Sequence, residues 1–214
     1  MIEVFIEAGQ RRVFASALAW PGWARSGKTD ELAVAALADY LPRYATVVER
    51  AGLVPPEGDL AITERHAGLA KNADFGSLGE VAPSETRPLP DEDGARLAAL
   101  LEAAWAAFAE VAEAAPALLR KGPRGGGRDT AQIVEHVSGA EAMYARKMGL
   151  PKDKVADAAS DAATMLRRRI GAAMRDPAML VTPPKGWPPR TAARRIAWHV
   201  LDHQWEIEDK SEPG

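Results

Sequence analysis

From Asp91 onward the strand-like alternation disappears, and alanine, leucine and long charged side chains recur at the helical period to about Asp209. Gly- and Pro-rich breaks divide this stretch into four helices. The first starts near Asp93, carries Leu97, Leu100, Leu101, Ala104, Trp105, Phe108 and Val111 on one stripe, and is bent or ended by Pro116. The second follows Thr130 and stops near Gly149. The third spans roughly Asp153 to Arg175, with Val155, Ala159, Ala162, Leu166 and Ile170 inward, and the fourth opens after Pro188-Pro189. Amphipathic helices of this length on short connections must bury their stripes against one another, which predicts a four-helix bundle over 91–214.

The first 75 residues follow different periods. Ile2 to Ile6 and Val13 to Leu18 are β-branched and aromatic runs separated by Gly9-Gln10-Arg11, the pattern of a hairpin. After Pro21-Gly22 the spacing of Leu32, Ala36, Leu37, Tyr40, Leu41 and Tyr44 predicts a helix capped by Thr29, kinked or restarted at Pro42 and stopped at Gly52. Leu60 to Thr63 reads as a third strand. Residues 76–90, rich in Pro, Gly and Ser, read as a linker. The fold class expected is therefore α+β: a small α/β module over 1–75 and a helical bundle over 91–214.

Composition narrows the function. With 27 basic and 30 acidic residues the formal charge is −3, so no global positive field collects nucleic acid or an anionic membrane. The acidic start Met1-Ile2-Glu3-Val4 is no signal peptide, and no apolar run approaches ~18 residues, so a cytoplasmic protein without membrane partners is expected. The absence of cysteine removes disulfides, thiolate metal sites and thiol nucleophiles together. Any metal must be held by nitrogen and oxygen.

Three of the four histidines fall in the bundle. His136 sits mid-stripe among Ile133, Val137, Ala140, Met143 and Tyr144 and points inward. His199 and His203 are one turn apart, flanked by Ile196, Val200 and Ile207 on one side and Trp198 and Trp205, candidate pocket walls, on the other. A lone inward histidine is more simply a hydrogen-bonded core residue. Two adjacent buried imidazoles cannot comfortably both be charged, however, and an i, i+4 pair can place two nitrogens on one ion, with His136 as the third. Three nitrogens with open positions are the pattern of a catalytic rather than a structural metal. Glu206, one turn beyond His203, is a fourth ligand, a proton-transferring carboxylate, an orienter or a solvated helix end; Asp202 orients an imidazole or faces solvent. Glu-x-x-His of di-iron bundles and His-Glu-x-x-His of zinc proteases are both missing, which favours one ion over two.

His136-Val137-Ser138-Gly139-Ala140-Glu141, followed two helices later by Trp198-His199-Val200-Leu201-Asp202-His203, resembles the DinB-like superfamily of metalloenzymes over roughly residues 91 to 210. The resemblance implies a four-helix bundle of up-down-down-up connection in which three histidines of helices two and four hold a divalent ion, and His136, His199 and His203 match that pattern. Some relatives are transferases of low-molecular-weight thiols such as mycothiol or bacillithiol, or isomerases using them. The amino-terminal segment, on Phe14 to Leu18, Pro21-Gly22 and Gly27-Lys28-Thr29-Asp30-Glu31, resembles a HicB-like module. Such a module on its own often acts as an antitoxin with a DNA-binding segment or a toxin partner; here it reads as an accessory unit that covers the pocket mouth or pairs subunits into a homodimer.

Several signals compete with this reading. Gly22 to Thr29 satisfies the Walker A expression, but no parallel sheet or magnesium-binding Asp strand follows, and the HicB-like turn explains the same residues. Gly122 to Arg128 could cradle an anion but reads as an inter-helix loop, and Arg167-Arg168-Arg169 with Arg194-Arg195 makes a local basic patch that could meet an acidic cosubstrate but reads as a solvated helix surface. His66 has no obvious partner. The function expected is a divalent-metal-dependent enzyme (zinc, nickel or iron) that activates water or a low-molecular-weight thiol for attack on a small-molecule substrate, a thiol-transferase-like reaction. The alternative is a binding or regulatory protein that uses the HicB-like surface, its metal site empty or structural.

Overall fold

The computed structural model describes residues 1–122, 126–150, 159–176 and 185–211. It is an α+β structure in which strands occupy the amino-terminal part and long helices the remainder. The strands are β1 (Ile2–Ala8), β2 (Val13–Ala17), β3 (Ala24–Gly27) and β4 (Leu60–Arg65), in the spatial order β3-β2-β1-β4. β1 and β2 form the expected hairpin, with Val4 opposite Ala17 and Ile6 opposite Ala15, and β4 runs parallel to β1. Between β3 and β4 come helices α1 (Asp30–Asp39) and α2 (Leu41–Arg50), separated at Tyr40 with Pro42 in the first turn of α2, as the sequence predicts. Thr29 caps α1 through its hydroxyl, which accepts from the Leu32 N–H.

β3 replaces the phosphate loop that Gly22 to Thr29 could have formed. Ser16 to Val13 of β2 pair with Ala24 to Gly27, so this stretch is extended strand and does not curl into a phosphate loop. The local motif gives way because an antiparallel neighbour is already in place.

The bundle comprises α3 (Asp91–Ala114), α4 (Thr130–Lys147), α5 (Ala159–Arg175) and α6 (Pro189–Ser211). The expected start of the third helix near Asp153, with Val155, lies outside the described residues, as do 123–125 of the glycine-rich loop. Asp93 meets Arg190 near the starts of α3 and α6, and Arg120, just beyond α3, donates to the Asp209 carbonyl near the end of α6, so these two helices run the same way. α5 opposes α3, with Gly94 against the Met174 carbonyl and Trp105 beside Arg167. α4 opposes α6, with His136 near His203 and Tyr144 near Arg195. The directions along the chain are thus up, down, down, up. Within the bundle, buried Glu141 of α4 accepts from Trp105 Nε1 of α3 at 2.5 Å and from Arg167 Nε of α5 at 3.0 Å, tying three helices together.

The two halves share one apolar core. On one face of the sheet Ile2, Val4, Ile6 and Ala15 belong to the same buried cluster as Leu97, Leu101, Ile196 and Leu201 of the bundle. On the other face Phe14 meets Trp198 edge-on at 5.6 Å. Gly22 shows why glycine is required at this junction: its φ is +97°, and a Cβ there would lie 2.6 Å from Leu201 Cδ1. Trp23 stacks on Tyr44 at 5.6 Å, and its indole N–H donates to the Leu37 carbonyl.

Residues 76–90, expected as a linker, are folded against both halves. Leu78, Ala82 and Glu85 are buried, and the Gly79 and Glu80 N–H groups donate to Glu7 Oε1 at 2.9 and 2.8 Å. Their lack of periodicity reflects 3₁₀ and extended backbone held from outside, chiefly by Arg194. That guanidinium donates from Nη1 to Glu7 Oε2 at 3.0 Å, from Nε to Glu85 Oε1 at 2.7 Å and from Nη2 to the Glu80 carbonyl at 2.7 Å. Arg194 and Arg195 are therefore interior residues and not the solvated basic surface expected, because acidic and aromatic partners from distant segments cover them. His66 likewise has a neighbour, standing 3.7 Å from Glu80.

Candidate metal centre

The site is built by α4 and α6. At 3.6 residues per turn, His199 and His203 share a face of α6, and His136 looks across at them from the opposed α4. Ring centroids are 5.0 Å apart for His136 and His199, 4.9 Å for His136 and His203, and 4.7 Å for His199 and His203. One nitrogen from each of the three lies within 4.8 Å of the other two. His199 and His203 are buried and His136 is half-buried, so the cluster is reached past His136. Among the described residues this is the one group of histidines and carboxylates close enough to share an ion.

The geometry meets a direct test of fit. Two ligands on one tetrahedral ion with bonds of ~2.0–2.1 Å stand ~3.3 Å apart, and cis ligands of an octahedral ion ~2.9 Å apart. His136 Nε2 and His199 Nε2 are separated by 3.2 Å. Nitrogen lone pairs that face each other at this distance repel unless a proton or a cation lies between them. Either an Nε2–H shared between two neutral rings or a bound cation answers that repulsion, and an additional proton is disfavoured: burial, with Arg195, His203, His136 and Arg128 nearby, pushes the His199 pKa down to about 2, and burial with Arg128 also lowers that of His136. Both rings are neutral at neutral pH, the form that binds metal.

Glu206 stands behind His203 and outside the nitrogen cluster. Its Oε2 lies 2.7 Å from His203 Nδ1, and its other oxygen accepts from Lys210. An imidazole that donates Nδ1–H to this carboxylate turns its Nε2 lone pair toward the cluster. The hydrogen bond to His203, then Lys210, hold the Glu206 carboxyl down at about 2. Of the roles the sequence leaves open, this position suits an orienter, since one oxygen meets His203 Nδ1 and the other accepts from Lys210.

The other expected neighbours have different work. Asp202 does not reach an imidazole; it accepts from Arg25 Nη1 of β3 at 2.9 Å. Arg25 is sandwiched over Tyr40 at 3.5 Å and Trp205 at 4.1 Å. Trp198 and Trp205 face the amino-terminal module and not a pocket, because α6 is covered by strands and α1–α2 on that side. Two rings border His199, Tyr144 edge-on at 5.6 Å and Trp198 tilted at 6.3 Å. Tyr144 also packs on Trp187 at 5.5 Å and lines a groove of about 410 Å³ with Met143, Lys147 and Lys185.

The sequence places Tyr144 on the inward stripe and Arg195 in a basic patch read as solvated, whereas Arg195 is buried beside Tyr144. The signal was available: Arg195, His199 and His203 are spaced i, i+4, i+8 on α6, and His136 and Tyr144 are spaced i, i+8 on the opposed α4. No protein-family model, curated protein or solved structure matches the chain. Among the described residues no helix is long and apolar enough to cross a membrane.

Proposed function

We propose that the protein is a metal-dependent enzyme of the DinB-like kind, in which His136, His199 and His203 hold one divalent ion and a HicB-like module buttresses the ion-binding helix. The observation that carries this is the convergence of three imidazoles from two opposed helices, with 3.2 Å between His136 Nε2 and His199 Nε2. The helix directions agree with those the DinB-like resemblance implies. When bound, zinc, nickel or iron, all accepted by imidazole, would act as a Lewis acid that lowers the pKa of a water or a low-molecular-weight thiol at its open positions.

The chain's own residues supply the rest. Glu206 fixes the tautomer and rotation of His203 and is a positioning residue. The hydrogen bond to His203, with Lys210, holds Glu206 ionised. Tyr144 and the half-buried His136 border the entry, where a small molecule reaches the nitrogens. With no cysteine in the chain, a thiol must enter as a cosubstrate.

Elemental analysis of untagged protein, purified without chelators beside His199→Ala, tests the reading. About one equivalent of a single divalent metal in the parent, little in the variant and an unchanged far-UV circular dichroism spectrum are expected. Collapse of the variant's fold would assign a structural ion. A parent that neither carries nor takes up zinc, nickel or iron would refute the proposal and leave the amino-terminal module as the working surface.

A further inference from the structure

Arg194 and Arg195 are consecutive, both buried and oppositely provided for. Arg194 has Glu7, Glu85 and the Glu80 carbonyl around it. Arg195, only 6% exposed, makes one hydrogen bond, from Nη2 to Ser77 Oγ at 2.9 Å. Its Nε and Nη1 have no partner among the described residues, and neither does Nε1 of Trp198, whose ring lies 4.7 Å from the guanidinium carbon. Three buried N–H donors and a full positive charge thus meet without an acceptor.

Nearby carboxylates do not fill the gap. Both oxygens of Glu7 are taken, by Arg194 and by the Gly79 and Glu80 amides, and Asp202 is turned to Arg25. A buried cation without a counter-charge costs far more than a neutral donor left unpaired. Water would answer the donors and leave the charge. An anion answers both.

The position of Arg195 says what the anion belongs to. It lies one turn before His199 in the row Arg195, His199, His203, about 6 Å along the helix from the first imidazole. Its guanidinium carbon stands 4.9 Å from the ring of Tyr144, the residue that also borders His199 and the adjoining groove.

We propose that Arg195 is an anion-binding residue of this centre, and that the substrate or cosubstrate carries an oxyanion, a carboxylate or a phosphate, about one helical turn from the atom that reacts at the three histidines. Assignment of the anion to a substrate rests on the metal-enzyme reading; the oxyanion site itself does not.

The test is calorimetric titration of the full-length protein, metal-free and zinc-loaded, with inorganic phosphate and with propionate in a buffer free of oxyanions. One of the two is expected to bind the parent at millimolar concentration or below, and the tighter one names the class. Arg195→Met should weaken binding by about tenfold or more, with Arg195→Lys between the two. Because Met removes an uncompensated buried charge while keeping an apolar stem between Tyr144 and Trp198, the variant should melt no lower than the parent and carry the same zinc. No binding of either probe to the parent, binding undiminished in Arg195→Met, or an Arg195→Met protein that does not fold would overturn the proposal. A parent that takes up no zinc but binds the oxyanion through Arg195 would keep the anion site and remove the enzyme reading.

Discussion

Removal of the Arg194 side chain tests how the two halves are held, and the outcome depends on pH in a way that the geometry dictates. In Arg194→Met, Glu85 keeps its bonds from Thr191 Oγ1 and the Ala82 N–H, and Glu7 keeps two amides, but two buried carboxylates lose their cation. Breaking a buried pair costs about 3–5 kcal/mol, a loss of roughly 6–20 °C in melting temperature for a chain of this size. In the parent, burial alone would raise the Glu85 pKa, but Arg194, by charge and hydrogen bonds, with Thr191 and the Ala82 amide, outweighs it and holds the value below normal. A depressed folded-state pKa gives stability that is present above the unfolded value of ~4.3 and lost as pH falls through the folded one. In the variant the depressing charge is gone and burial dominates, so the Glu85 pKa rises above the unfolded value and protonation favours the folded state. The sign reverses. Urea unfolding of both proteins at intervals from pH 7.5 to 4.5 should show the deficit of Arg194→Met greatest near neutrality and shrinking toward pH 4.5, with m-values alike. A deficit under about 1 kcal/mol at pH 7, or one that does not change with pH, would refute the argument that this network is buried and ionised.

Other consequences can be checked separately. Gly22→Ala adds a Cβ at positive φ and 2.6 Å from Leu201 Cδ1, so chemical denaturation should show a loss of about 2–4 kcal/mol, and a loss below about 1 would mean the halves are not packed as described. Glu206→Ala should weaken zinc affinity about 10- to 100-fold with the fold unchanged, measured by chelator competition, while Glu206→Gln, which still accepts from Nδ1, should lose less; equal affinities would remove its orienting role. Asp202→Ala should cost under about 1 kcal/mol, since its carboxylate is partly solvated, whereas Arg25→Ala should cost more because it also strips the guanidinium from Tyr40 and Trp205; the reverse order in urea unfolding would reject the sandwich.

What could be read from the sequence follows the range of the interaction responsible. The hairpin, the helix restarted at Pro42 and the apolar stripe of α3 depend on neighbours within a few residues, and the structure has them where periodicity put them. The histidine cluster was legible for the same reason: an i, i+4 pair defines a face, and His136 lies on the apolar stripe of a second helix. β3 was hidden because Gly22 to Thr29 also fits a phosphate loop, and only pairing with β2 decides between them. Arg194 and Arg195 show where local reading ends. By composition they are one basic dipeptide at a helix surface. The partner that neutralises the first, Glu7, is 187 residues away, and the second has no acid hydrogen-bonded to it among the described residues. Helical period can tell that both lie on α6, but not that the chain returns to cover them. When it does, a cation with a counter-charge becomes a fastening between the halves, whereas its neighbour, buried without one beside a cluster of imidazoles, costs stability that folding alone does not explain. A charge kept at that cost one turn from three converging nitrogens is the strongest reason to look for an anion there.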